Sequence, residues 1–162
     1  MIIGIDPGLT GAIAIVGHSG SIPVLLDLPV VSKLSGKGNE LSARLLLAAL
    51  SAHRADIDAA YVERVHAMPG QGVTGMFSLG RTVGVIDGIL ASLGIQTIYV
   101  EPSRWKRDLV LTGKEKDAAR TMAISLYPEA ATNLARKKDI GRADALLIAH
   151  WAITRNTKEQ AA

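Results

Sequence analysis

The chain has 162 residues, 48% of them apolar and 20% charged, with a mean hydropathy of +0.24. That suits one compact domain with an aliphatic core and excludes a disordered or collagen-like chain. The absence of cysteine excludes disulfides, thiolate zinc sites and thiol nucleophiles.

The net charge of +3 is lopsided, with six Lys/Arg against seven Asp/Glu in residues 1–100 and twelve against eight in 101–162. A basic half points to a polyanion, most often nucleic acid, with an ordinary solvated face as the alternative. No basic stretch precedes the first apolar run, and the long uncharged run over 7–26 contains Gly, Ser, His and Pro. Neither an export signal nor a membrane span is expected, and a cytoplasmic protein without a membrane partner is.

Residues 2–6 read as a β-strand ending in a carboxylate, Asp6. A turn over Pro7-Gly8-Leu9-Thr10-Gly11 leads into a second strand at 12–16, and a turn at 18–21 into a third at 22–28, an antiparallel meander. Residues 32–39 are a polar Gly/Ser/Lys loop. Ser42 is placed to cap a helix through His53, with Leu45, Leu46, Ala49 and Leu50 at helical spacing.

Residues 59–63 form a second apolar strand that ends in a carboxylate, Glu63. A Gly/Pro loop over 66–74 precedes a helix at 75–93, followed by a strand at 96–101 and helices at 103–111 and 114–127. Residues 128–139 are irregular, and a last helix runs over 142–154. No repeat or linker is visible. The pattern predicts an α/β domain with a mixed sheet over 1–155, and a polar tail at 156–162.

A carboxylate at the rim of an apolar element is desolvated unless a cation compensates it. Asp6 and Glu63 end apolar strands, and Asp144 opens the apolar run Ala145-Leu146-Leu147-Ile148-Ala149. As a set, the three suit the oxygen-rich shell that Mg²⁺ or Mn²⁺ prefers. Singly, each has a plain structural reading, as a partner of a helix dipole or a turn residue before Pro-Gly.

The order of motifs is similar to that of RuvC-type Holliday junction resolvases. The opening Ile3-Gly4-Ile5-Asp6-Pro7-Gly8-Leu9-Thr10-Gly11 resembles their first acidic strand, and Val62-Glu63-Arg64-Val65 their second. Ser78-Leu79-Gly80-Arg81 with Gly84, Val85 and Gly88 resembles their long helix, and Asp144-Ala145-Leu146-Leu147-Ile148-Ala149 their final acidic helix. The stretches Met68-Pro69-Gly70-Gln71-Gly72-Val73 and Pro102-Ser103-Arg104-Trp105-Lys106 resemble the phage and poxvirus branch more than the bacterial enzyme.

The resemblance implies an RNase H-like fold with a mixed five-stranded sheet flanked by helices. It also implies a homodimer that nicks four-way or branched DNA with Mg²⁺ (Mn²⁺ as an alternative), two ions per site, and no nucleotide cofactor. Asp6, Glu63 and Asp144 would then be metal ligands, and Lys106 and Lys116 would face the scissile phosphate. For Lys116, an exposed helix start in Lys114-Glu115-Lys116-Asp117 is the competing reading.

Two positions depart from the bacterial pattern. His66 stands where those enzymes carry an aromatic residue, and Gly141 where they carry a fourth ligand. Asp139 is the candidate substitute for that ligand, with a surface ion pair beside Lys137-Lys138 as the alternative. Arg104, Lys106, Arg107, Lys114 and Lys138 are candidate DNA contacts.

Gly80, Gly84 and Gly88 form a one-sided ridge that each weaken the helix by about 1 kcal/mol relative to Ala. The ridge suits close packing, either on the sheet or on a partner subunit with Val83 and Ile86 filling the seam. Trp105 and Trp151 read as core or interface residues. Three rival functions remain open: an actin-like ATPase or sugar kinase, which would need a second such domain; a DNA-structure binder with an idle site; and an RNase H-like nuclease for RNA or flaps.

Overall fold

A computed structural model describes residues 1–22, 24–67, 70–115 and 117–160. Part of the Met68–Val73 stretch, and Lys116 with the role suggested for it, therefore lie outside the described residues.

Five strands make the main sheet: β1 (Ile2–Asp6), β2 (Ala12–Val16), β3 (Val24–Asp27), β6 (Ala59–Glu63) and β7 (Gln96–Val100). Their order is β3-β2-β1-β6-β7, antiparallel across β3, β2 and β1 and parallel across β1, β6 and β7. The first acidic strand is thus the central one. β4 (Val30–Ser32) and β5 (Asn39–Leu41) form a separate two-stranded ribbon where a plain loop was expected. Its polar, glycine-rich tip hides the pairing, and Val30 and Val31 remain exposed.

Strand alternation divides the core into two layers. Ile3, Ile5, Ala60 and Val62 face Leu46 and Leu50 of helix α1 (Ala43–Ser51) and Ile86, Ile89 and Leu90 of α2 (Val73–Ser92). Ile2, Ala59 and Tyr61 face the opposite layer, built on α5 (Ile140–Gln160) with α3 (Pro102–Asp108) and α4 (Ala118–Leu126). Ser42 caps α1, its hydroxyl accepting from the Leu45 N–H at 3.4 Å.

Irregular residues 128–139 contain two 3₁₀ turns, Pro128–Leu134 and Lys137–Asp139. Helix α5 is longer than the expected 142–154 and carries the supposed tail as far as Gln160.

Gly4 lets α5 lie directly on β1. A Cβ there would sit 2.0 Å from the Ala145 carbonyl oxygen and 2.7 Å from the Ala149 nitrogen. Arg142 fixes the start of the same helix through a bidentate pair with Asp27 of β3, at 2.7 and 2.9 Å. The middle of β1, the end of β3 and the first turns of α5 are thereby held together.

The glycine ridge of α2 does not pack on the sheet. Gly80, Gly84 and Gly88 are exposed, and a Cβ on any of them would meet no other atom within 4 Å. Ile86, expected in the seam beside them, is instead fully buried against the sheet. The outward apolar residues of α2 are Val73 and Phe77, 84% and 74% exposed. By length and composition α2 is apolar enough to cross a membrane, but Thr82, Ile86, Ile89 and Leu90 anchor it in the domain.

Candidate active site

Asp6 and Glu63 end adjacent parallel strands whose register runs Ile2 with Ala59 through Ile5 with Val62. One residue further, the two acids stand level. The alternation that puts Ile2, Gly4 and Tyr61 toward α5 puts both carboxylates on that side too. The C-terminal edge of parallel strands is where α/β sheets bind ligands. Asp144, in the second turn of α5, comes to the same place because Gly4 seats the helix one residue further along, at Ala145.

The three acids act on one another through their charges. Asp6 is pushed up to about 8, first by burial, then by the charges of Glu63 and Asp144, with Lys106 opposing. Asp144 rises to about 6, chiefly through burial, with Lys106 lowering it and Glu63 raising it. Its Oδ1 is buried without a hydrogen-bond partner, the one such side-chain atom among the described residues. Buried polar atoms are seldom left so, and an orphaned acceptor calls for a cation.

Lys106 Nζ stands 3.8 Å from Asp144 Oδ2. Glu63 Oε2 accepts from the Trp105 indole N–H at 2.8 Å. Lys106, Lys114, Leu111, Ile140 and Asp144 line an open hollow of about 320 Å³.

Asp139 does not join this group. It is 2% exposed, and Arg136 saturates it: the Arg136 backbone N–H donates to Oδ2 at 2.8 Å, and the guanidinium donates to Oδ1 at 2.6 Å. The Arg136 side chain holds its carboxyl below the usual range. The ion pair exists, but with Arg136 rather than the neighbouring lysines.

Gly141 occupies the place suggested for a fourth ligand, since a Cβ there would lie 3.2 Å from Asp6 Oδ2 and 2.7 Å from the Thr10 carbonyl oxygen. A side chain there would crowd the Thr10 backbone and the Asp6 carboxylate.

The candidate DNA contacts divide. Lys106 and Lys114 share the hollow with Asp144. Arg104 lies on another side of α3, its guanidinium 5.8 Å from the Trp151 ring centroid, two turns along α5 from Asp144. Arg107 pairs with Asp108 at 3.0 Å while remaining 72% exposed, and Lys138 is exposed beside Asp139. Trp105 and Trp151 are core residues, as expected. His66 meets Glu101 at 3.0 Å, and Glu101 also pairs with Arg64 at 3.2 Å.

Two features of the site were missed in the sequence. The Trp105–Glu63 bond joins residues 42 apart, and no local pattern announces it. The Arg136–Asp139 clamp has a detectable signal, an acid three residues after the cap position of a short turn.

Three hard carboxylates with no sulfur or imidazole among them fit Mg²⁺ or Mn²⁺ by donor chemistry, and the orphaned Asp144 oxygen supplies the structural reason. Among the described residues no three acid or histidine side chains are already closed to metal-shell spacing.

The chain is 33% identical over 169 aligned positions to the crossover junction endodeoxyribonuclease RuvC of Nitratidesulfovibrio vulgaris, covering 97% of this chain and 93% of that protein. A chloroplastic Holliday junction resolvase of Chlamydomonas reinhardtii is 41% identical over 98 residues, which is 57% of this chain but 11% of the algal protein.

Among solved structures, T. thermophilus RuvC in complex with a Holliday junction substrate matches with a TM-score of 0.60 at 17% identity, over 96% of this chain and 95% of that one. A second Thermus thermophilus RuvC structure matches with a TM-score of 0.57 at 19% identity, over 97% and 96%. At those identities the structures speak for the fold, which is RNase H-like. No family model matches.

Proposed function

Because the chain belongs to the RuvC family of crossover junction endodeoxyribonucleases, we propose that it cuts four-way DNA junctions by divalent-metal-dependent phosphodiester hydrolysis. The observation that carries this reading is the convergence of Asp6, Glu63 and Asp144 on one cleft, with an oxygen of Asp144 left without a partner.

Asp6, on the central strand and acted on by both other acids, would be the central metal ligand. Glu63 and Asp144 would each hold an ion, Mg²⁺ first and Mn²⁺ as the alternative. Divalent ions held there would supply charge to offset that on the attacking and leaving oxygens and would acidify a bound water. Asp139, with both oxygens taken by Arg136, belongs to the scaffold of α5 instead.

Lys106 sits beside Asp144 at the mouth of the cleft, where its ammonium meets the scissile phosphate and stabilises the charge that builds on it. Lys114 extends this positive edge across the hollow. Arg104, Arg107 and Lys138 lie further out and would follow the DNA backbone through charge. The cleft is open, as a duplex arm requires. The Pro102–Lys106 run favours a place near the phage and poxvirus branch, while the relatives named above are bacterial and algal.

A four-way junction has approximate two-fold symmetry, and one domain offers one cleft. Paired nicks therefore call for a homodimer. The outward face of α2, with Gly80, Gly84 and Gly88 following the exposed Val73 and Phe77, is the surface that supports one.

The test is a cleavage assay with Mg²⁺ on a four-way junction, a flap, a linear duplex and an RNA–DNA hybrid. Symmetric nicks on the junction are expected. Equal cutting of flap or hybrid would favour a different RNase H-like nuclease, and tight junction binding without cutting would leave a DNA-structure binder.

A further inference from the structure

Trp105 is fully buried, yet it touches two groups of the cleft. An indole N–H is a donor only, and a buried one needs an acceptor. Here the acceptor is Glu63 Oε2, at 2.8 Å. The same ring lies 4.9 Å from Lys106 Nζ, which itself stands 3.8 Å from Asp144 Oδ2.

The helix that carries Trp105 is tied to the segment after β6. The cap residue Glu101 pairs with both Arg64 and His66, one and three residues beyond Glu63. The indole is therefore fixed relative to the strand whose terminal acid it holds.

We propose that Trp105 is a positioning residue for the metal site, its indole N–H fixing one oxygen of Glu63 so that the other is presented to the cleft, while its ring supports the Lys106 ammonium. This rests on the metal-nuclease reading above. A carboxylate with free rotation at the end of a strand must lose that freedom when it binds an ion, whereas one held by a buried donor has already lost it. Groups that orient metal ligands in this way contribute about 10–100-fold to metal affinity.

Trp105→Phe keeps an aromatic ring and removes the N–H. The measurement is calorimetric titration of the metal-free full-length protein with Mn²⁺, below the melting temperature of each variant. Affinity is expected to fall by about 10–100-fold, with junction binding in the absence of divalent metal unchanged. In a Glu63→Gln background the same substitution is expected to have little further effect, because the oriented carboxylate is already gone.

Wild-type affinity in folded Trp105→Phe, or an undiminished loss in the Glu63→Gln background, would overturn the role of Trp105. A wild-type protein that binds no Mn²⁺ would overturn the metal reading and this role with it, and the two failures are thus distinct.

Should Trp105→Phe not fold, the wild type answers by ¹H–¹⁵N spectroscopy with Mg²⁺. The Trp105 indole signal, distinguished from that of Trp151 by Trp151→Phe, is expected to shift, and to stay still in Glu63→Gln. An unmoved Trp105 signal during saturable Mg²⁺ binding would contradict the proposal.

Discussion

Two aspartates lie five residues apart where α5 begins, and their surroundings are opposite. In the 3₁₀ turn before the helix, Asp139 is buried with both oxygens bonded to Arg136. In the second turn of the helix, Asp144 is half-buried, with its buried Oδ1 bonded to nothing and Lys106 at 3.8 Å from its other oxygen. The first arrangement is complete and serves the fold. The second is costly to the fold on its own and makes sense only when a further cation joins it. Burial alone does not mark a functional carboxylate; unmet bonding capacity does.

The largest effect should separate the two on cleavage. Asp144→Asn, like Asp6→Asn and Glu63→Gln, is expected to lower junction cleavage with Mg²⁺ by on the order of 10²–10³-fold or more, with junction binding nearly intact. Asp139→Asn is expected to cut at close to the wild-type rate at a temperature where it is folded. Strand-cleavage rates under single-turnover conditions check both.

Stability should show the reverse. Removing the Asp139 charge leaves Arg136 unpaired and weakens the cap, a loss of about 1–3 kcal/mol in urea unfolding. Asp144→Asn removes a charge that was unfavourably placed, so no comparable loss is expected.

The same contrast sets opposite pH dependences in the absence of divalent metal. Asp139 is held below the usual carboxylate range, so its contribution is present above pH about 4 and is lost as pH falls through its folded value. Asp6 is pushed up to about 8, so the folded state keeps a proton that the unfolded state has released. Stability from this group therefore declines as pH rises from about 4 to about 8. Melting metal-free Asp6→Asn beside the wild type across that range should show the variant gaining relative stability as pH rises. A constant difference would place the Asp6 carboxyl in a more solvated setting.

The smallest effect concerns a strain that is not electrostatic. Val110 follows α3 with φ of +57°, its N–H donating to the Arg107 carbonyl and the Leu111 N–H to that of Lys106. This is a helix-ending motif in which glycine normally takes the left-handed position. Val110 is 74% exposed and forfeits little packing on replacement. Val110→Gly is expected to raise stability by about 1 kcal/mol, seen as a higher urea midpoint at unchanged slope.

Much of the cleft was legible in the sequence because strand alternation is a local signal. β1, β2 and β6 begin and end at the residues their apolar runs predict, and the same runs place Asp6 and Glu63 at their ends. Asp144 was legible as an acid opening an apolar helix. What escaped depends on contacts between distant residues or on side-chain reach. Gly141 is a poor helix former, yet it lies inside α5 because packing on β1 and against Thr10 overrides propensity. The β4–β5 ribbon is paired by backbone alone, with little apolar pattern to announce it. In the sequence, Asp139 fits either a ligand or a surface pair. Only the geometry of Arg136 decides between them, and periodicity says nothing about a guanidinium folding back three residues.

The most direct test of this account is the Mn²⁺ affinity of metal-free Asp139→Asn and Asp144→Asn, measured side by side by calorimetry with the wild type. The account predicts wild-type affinity for Asp139→Asn and a loss of at least about tenfold for Asp144→Asn. Loss of binding in Asp139→Asn with retention in Asp144→Asn would contradict it.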